Sequence, residues 1–452
     1  MESEVESSSR ICPIIPSPNK GLNRQLNSRP IFVAVSLSLI LLTSGLLILH
    51  SPTPIPPLPP PPLPPLGIPH GAIAIDGDAN FSATALSEGW PGDGSPENPY
   101  VINGLDIYLG GNNESCIVIS DTRVSFTISN CNCTSGNIYW EGPGPEYVGI
   151  SLDNVANGKL VNNICKYNDY GIRLSNSYSN TVANNTCTGN ILAIYLYDSY
   201  SNTVANNTCN NNRASIELRS SVSNTVANNT CNNNFGGITI LSFSDSNTVA
   251  NNTCNNNRWG WGIGLWGSDS NTVTNNTCND NPDYGIRLDG WDIGAGGGSD
   301  SNTVANNICT NSDIGISVSE SSDNTVSDNT CNSDDIGIRL FLSDSNTVEN
   351  NVCYINDVGI SLNESTHNTL TNNICNDNRI GIYLDDESEF NIVENNTFWG
   401  NTEHDIVYAS ELEEELLHRE YVGKQFVWFL AGCGMILVVA VIALVRFRRM
   451  EI

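Results

Sequence analysis

Ten cysteines recur through the middle of the chain: Cys165, Cys187, Cys209, Cys231, Cys254, Cys278, Cys309, Cys331, Cys353 and Cys375, separated by 22, 22, 22, 23, 24, 31, 22, 22 and 22 residues. Thiols can ligate soft metals, form disulfides or pack as small hydrophobes, and spacing separates these roles. A zinc site wants C-x-x-C pairs. The chain has none: Cys131 and Cys133 are separated by one residue and the five His are scattered. If the ten stood on successive parallel strands, their Cα atoms would be ~4.8 Å apart. That is reachable for a disulfide, but parallel side chains hold the Cβ atoms farther apart than the usual ~3.5–4.5 Å. Strain therefore favours free, buried thiols. A file of inward thiols holding Cu(I) has no entry path through a dry core, so copper is not expected.

Two other sets of side chains could act. Asp169, Asp283, Asp313, Asp335 and Asp357 each stand four or five residues after a repeat cysteine. On neighbouring strands the last three would form a stack of like charge that repels unless solvated or bridged by a cation. An Asp at a turn explains them, with weak calcium binding through oxygen ligands as the alternative. Hydrolysis or elimination at a glycosidic bond needs paired carboxylates or a base beside a neutralised uronate. Asp335 and Arg339, with Asp313 and Asp357 on adjacent repeats, are the catalytic candidates. The second set is aromatic. Trp259, Trp261, Trp266 and Trp291, half of the eight tryptophans, fall within 33 residues together with Tyr284. They flank a glycine-rich excursion at 290–298 in the one repeat of 31 residues. Such rings stack on sugar faces, with Asp283, Asp289 or Asp292 accepting hydroxyl hydrogen bonds; the alternative is that they pack the long loop.

The elements that must position these residues are written as a repeat. NTVANNTC stands at 180–187, 202–209, 224–231 and 247–254, and returns with changes up to NIVENNTF, which ends at Phe398. A second motif follows each cysteine: GIRL at Gly171, AIYL at Ala193, SIEL at Ser215, GITI at Gly237, GIRL at Gly337 and GIYL at Gly381. Both alternate with period 2 and place β-branched residues at the apolar positions, so each repeat is short strands joined by corners. Asn-Thr-Val and Gly-Ile-x-Leu are poor helix formers, and the L-x-x-L-x-L frame of leucine-rich repeats is missing. A period near 22 then means a solenoid of about 12 coils. Val182, Val204, Val226 and Val249 form one inward column, Ile172, Ile194, Ile216 and Ile238 another, and the cysteines a third. Asn recurs at corners because it tolerates left-handed backbone and its amide can bond from coil to coil. The exposed centre of the second motif reads Arg173, Tyr195, Glu217, Thr239, Arg287, Ser317, Arg339, Ser361 and Tyr383, a mixture with no evident active site.

The unit GIxL…NTVxNNxC, with an opening GSPENPYVI at 94–102, resembles the right-handed parallel β-helix family related to NosD periplasmic proteins, and the repeat domains of carbohydrate-binding and sugar-hydrolysing surface proteins common in archaea. The resemblance covers 71 to about 407. It implies an all-β right-handed parallel β-helix. It does not specify function, since such proteins include enzymes and copper-maturation factors; the lack of a catalytic signature favours a non-catalytic surface module that binds or displays carbohydrate, with a polysaccharide lyase or glycosidase, a structural spacer or a copper-related role as alternatives. It offers no metal motif to place on named residues.

Charge and hydropathy set the surroundings. Formal charge is 19 − 48 = −29, and residues 71–410 carry all of it. Nucleic acid is excluded as a partner, because phosphate binding needs clustered Lys and Arg. The expected organisation is a cytoplasmic 1–30, a signal anchor or signal peptide at 31–49, and a spacer at 50–70 rich in proline. A capping part of the β-helix (71–120) and its repeats (121–407) come next. A stalk (408–425), a membrane helix (426–445) and a basic tail (446–452) end the chain. Residues 31–49 and 426–445 are uncharged, and Arg446, Arg448 and Arg449 follow the second, so the bilayer is a partner and the acidic domain lies outside the cell or in a periplasm-like space. Ten N-x-S/T sequons occur. Asn80, Asn113 and Asn363 are the expected glycan acceptors, whereas the recurring Asn-Asn-Thr is accounted for by corner geometry.

Overall fold

The chain divides into two compact units, Met1–Pro62 and Leu63–Ile452. The computed structural model describes residues 67–111, 114–136, 146–258, 260–290 and 297–409, all in the second unit. Both apolar stretches lie outside the described residues, as do the spacer up to residue 66 and the stalk from residue 410; the solenoid begins inside the expected spacer, where Ile68–Pro69 pairs with Leu105 and Asp106, and ends inside the expected stalk, where Tyr408 pairs with Leu384. Among those described, no helix is long and apolar enough to cross a membrane.

One repeat shows how sequence becomes coil. Thr186–Thr188 (TCT) turns into the long strand Leu192–Tyr197 (LAIYLY), which turns into Thr203–Ala205 (TVA), after which the next cysteine strand begins at Thr208. Alternation buries Cys187, Ile194, Leu196 and Val204 completely and leaves the intervening side chains outward. Every strand pairs in parallel with its counterpart one repeat away, so identical residues face each other: Cys165 on Cys187, Ile172 on Ile194, Val182 on Val204. The long strands form a sheet of 14 and the TVA strands a sheet of 13. The cysteine strands form two runs of six, joined by single bridges through Thr230 and Thr253. The result is an all-β parallel solenoid of about 13 coils, against the 12 expected. The cysteine column is one longer than the repeat announces, since Cys133 pairs with Cys165; Ile107 and Phe398 close its ends.

Corners carry the polar part of the core. Buried asparagines stack in three ladders, through Asn180, Asn185 and Asn190 in one coil, and serines in a fourth through Ser177. At Asn207 the backbone N–H donates to Asn229 Oδ1 (2.9 Å), while Nδ2 donates to the same oxygen (3.0 Å) and to the Val182 carbonyl of an earlier coil (2.9 Å). The side chain thus satisfies backbone groups that a tight corner would leave unpaired in the interior. The residue before each such Asn takes a left-handed φ, +57° at Asn184 and at Asn206. The 31-residue coil keeps the same register. The serine ladder runs through it, with Ser299 N–H donating to Ser321 Oγ (3.0 Å).

One element had no announcement in the repeat. A helix, Gly77–Glu88, covers the first coils through Phe81, whose ring lies 5.1 Å from Tyr100 and 5.2 Å from Phe126. It ends at Gly89, whose φ of +69° lets its N–H reach the Ala85 carbonyl.

Candidate functional site

The outward face of the long sheet gathers the aromatic and charged side chains. In the strand Trp261–Trp266, Ile263 and Leu265 point inward, and Trp261, Gly264 and Trp266 face out. The indoles meet edge to face, 4.6 Å between centroids at 68°. Gly264 makes that possible: a Cβ there would come within 2.2 Å of the Trp266 ring. Trp261 Nε1 donates to Thr239 Oγ1 (3.3 Å) on the preceding coil.

The next strand, Tyr284–Asp289, sets Tyr284 against Trp261, Arg287 against Gly264 and Asp289 against Trp266. The Arg287 guanidinium lies 4.8 Å from the Tyr284 ring centre and 6.0 Å from Trp266, and it is ion-paired to Asp289, which is only 3% exposed. One coil further comes Ser317, fully buried, and then Arg339, which donates to Ser317 Oγ (3.1 Å) and lies between Tyr284 (5.8 Å) and Phe341 (5.9 Å). Each guanidinium therefore lies against rings of its own coil and of another, and the contacts fix both partners' orientation. The Nε atoms of Arg287 and Arg339 are buried without a hydrogen-bond partner among the described residues. A second cluster stands on earlier coils: Tyr170 stacks on Tyr195 at 5.3 Å, Arg173 lies 5.4 Å from Tyr170, and burial pushes the Glu217 carboxyl above its ordinary range.

Of the residues named from the sequence, Trp261, Trp266, Tyr284 and Asp289 come together here. Trp259, Trp291 and Asp292 lie outside the described residues. Asp283 stands at the corner beside Gly260, at the head of an exposed column with Asp313, Asp335 and Asp357 on successive coils. The column is one longer than expected, because the long excursion returns to register. Burial, then Asp335 and Asp283, raises the Asp313 carboxyl. Asp357 is held below the usual range by Arg379, whose Nε and second nitrogen reach its two oxygens at 2.7 and 3.0 Å. Of the catalytic candidates, Asp313, Asp335 and Asp357 share this column, whereas Arg339 turns to the sheet face and forms no ion pair among the described residues.

The thirteen described cysteines are free and buried, and burial lifts the Cys131 thiol to about 11. Among the described residues no group of three His, Cys, Asp or Glu is placed to hold a metal ion. Asn80 accepts a hydrogen bond from Asp76 N–H (3.0 Å), Asn363 accepts from Ser361 Oγ (2.9 Å), and Asn113 lies outside the described residues.

Sequence reasoning missed guanidinium groups as partners of the rings: it places Arg287 only in a mixed column, and it sets Arg339 beside Asp335 rather than beside Tyr284. It also missed Asp334. Aligned copies put Asn at that ladder position in Asn168, Asn190, Asn212, Asn234, Asn356 and Asn378, and the substitution could have been read there. Asp334 Oδ1 accepts Ser312 N–H (2.8 Å), Oδ2 has no partner, and burial pushes the carboxyl up to about 8.

No curated protein matches the chain. The profile of a family described as periplasmic copper-binding protein (NosD) matches residues 127–292, and that of the right-handed β-helix region matches 261–413. Among solved structures, the chain is similar to the periplasmic alginate epimerase AlgG, at 14% identity and a TM-score of 0.40, over 74% of this chain and 83% of that one. It is similar also to a thermostable GH87 α-1,3-glucanase from Streptomyces thermodiastaticus, at 14% identity and a TM-score of 0.48, over 75% and 70%. A third is the A-module of the Azotobacter vinelandii mannuronan C-5 epimerase AlgE6, at 14% and 0.39, over 75% and 89%. At these identities the likeness is one of fold alone.

Proposed function

We propose that this chain, a NosD-like right-handed β-helix repeat protein, is a non-catalytic module that binds polysaccharide along the outward face of its long sheet. One observation supports the reading above others: the rings and guanidinium groups of Trp261, Trp266, Tyr284, Arg287, Arg339 and Phe341 stand within four successive coils on one face of the long sheet. Sugar rings present apolar faces edged by hydroxyls. Aromatic side chains cover the first, while Arg and Asp in fixed orientation serve the second. A non-catalytic role agrees with the acid column, where Asp357 is neutralised by Arg379 and Arg339 is turned away. In this reading the two apolar stretches, 426–445 above all, tether the module to a membrane with the solenoid outside.

The test is a glycan array probed with full-length protein in detergent, wild type beside Trp261→Ala and Trp266→Ala. Binding to one class of polysaccharide, lost by at least tenfold in the variants at unchanged thermal transition, supports the proposal. Release of reducing ends or unsaturated sugars from the bound class would replace it with the lyase or glycosidase reading. Protease added to intact cells should remove the solenoid; full protection would refute the tethered topology.

A further inference from the structure

The corner between each TVA strand and the following cysteine strand is the one corner of the coil that the long strand does not enter. At its tip stand Asn184, Asn206, Asn228, Asn251 and Asn275 on five successive coils. All five are exposed, with φ between +56° and +57°. Their backbones are held firmly: Asn206 N–H, for instance, donates to the Ala227 carbonyl (3.0 Å). Among the described residues the side chains of Asn184, Asn206, Asn228 and Asn251 form no hydrogen bond, and that of Asn275 forms one, to the neighbouring Thr274 hydroxyl at 3.2 Å. The contrast with the buried residue that follows each is complete, since Asn185 and Asn207 commit their amides to the ladder.

Left-handed backbone explains why Asn stands at the tip, and Asp328 fills the same role at one coil. It does not explain the Thr two residues later. That position faces outward, and other coils fill it with Ile164, Ile308, Val352 and Ile374, two of them among the exposed large hydrophobics. The coil therefore accepts Ile or Val where Asn184 to Asn275 are each completed by Thr186, Thr208, Thr230, Thr253 and Thr277; Asn395 is completed likewise by Thr397, and Thr330 alone stands there behind an Asp, Asp328. Corner geometry accounts for half of Asn-Asn-Thr and leaves the other half, the half a glycosyl transferase reads, unexplained.

We propose that Asn184, Asn206, Asn228, Asn251 and Asn275 are N-glycosylation acceptors, so that one corner of the solenoid carries a row of glycans. The glycan donor is a polyprenyl-phosphate-linked oligosaccharide, supplied by a membrane oligosaccharyl transferase. The Asn Nδ2 forms a bond to C1 of the sugar, the bond from C1 to the phosphate oxygen breaks, the polyprenyl phosphate departs with that electron pair, and one amide proton passes to a base of the transferase. The row lies away from the long-sheet face and leaves the aromatic rungs uncovered.

The experiment is expression of the full-length chain in a eukaryotic secretory host, enzymatic deglycosylation in ¹⁸O water, and peptide mass spectrometry. Each glycosylated Asn then reads out as an ¹⁸O-labelled Asp. Label at the corner sites is expected, and the variant Ile308→Thr, which completes a sequon at Asn306 on the same corner, should gain one further site. Unmodified Asn at all five positions overturns the proposal. Label confined to Asn80, Asn113 or Asn363 overturns it too, because the transferase would then have met the chain and passed over the corner.

Discussion

The long sheet and the TVA sheet obey one rule inward and opposite rules outward. Inside, both repeat themselves: Ile172, Ile194, Ile216 and Ile238 in one, Val182, Val204, Val226 and Val249 in the other. Outside, the TVA sheet carries Thr181, Thr203, Thr225, Thr248, Thr272, Thr303, Thr325, Thr347 and Thr369 without a break, while the long sheet changes at almost every coil, from Arg173 through Glu217 and Gly264 to Arg339. Stacking demands a uniform interior, because each inward side chain meets its own copy. It demands nothing of an outward side chain. The long sheet has used that freedom to differ, and there rings and cations have assembled.

The comparison breaks hardest where the interior is disturbed. Asn229→Ala removes the acceptor of Asn207 N–H and Nδ2 and the donor to the Val204 carbonyl, leaving buried polar groups unpaired. A loss on the order of 4 kcal/mol is expected, read from the denaturant midpoint. Next comes Asp334→Asn. The folded carboxyl holds its proton up to about 8, far above the ordinary value of 3.8, so the folded state binds the extra proton. The stability it supports is therefore complete below about pH 4 and drains away as pH rises toward 8. Asn restores the ladder, whose amide at the matching Asn356 donates to the Cys331 carbonyl at 3.2 Å. The variant should unfold like wild type at pH 4 and be more stable by on the order of 3 kcal/mol at pH 9.

The outward faces should respond unequally. Gly264→Ala drives a methyl into the Trp266 ring, so the indole pair opens, stability falls by about 1–2 kcal/mol, and tryptophan near-ultraviolet dichroism changes. Thr225→Val, at an outward position of the TVA sheet, should shift the unfolding midpoint by less than about 0.5 kcal/mol. A large loss there would mean that the threonine column is structural and that the contrast between the sheets is misplaced.

Coil length, strand order and all three inward columns were legible because a 22-residue period with two alternating motifs admits one stacking. The tryptophan pair was legible too, since Trp261 and Trp266 share a strand. What lay beyond the sequence were adjacencies set by counting across coils of unequal length. Arg287 meets Tyr284 within its own strand, but Arg339 reaches Tyr284 from two coils away, past an excursion at 291–296 whose re-entry point only the structure reveals. Likewise, no periodicity foretold the helix Gly77–Glu88, because it is written once.

That helix carries a further consequence. When consecutive coils are nearly the same sentence, a growing chain can skip one line and still find identical partners: Val204 would accept Val249 as readily as Val226. The inward columns of the middle coils do not distinguish one coil from the next. Phe81, Tyr100 and Phe126 are unlike any later coil, so they set the zero of the scale, and the stack is read from that end. Excision of residues 210–231, one whole period, should leave a shorter protein that folds, whereas loss of Phe81 should leave an intact set of repeats with no fixed place to begin.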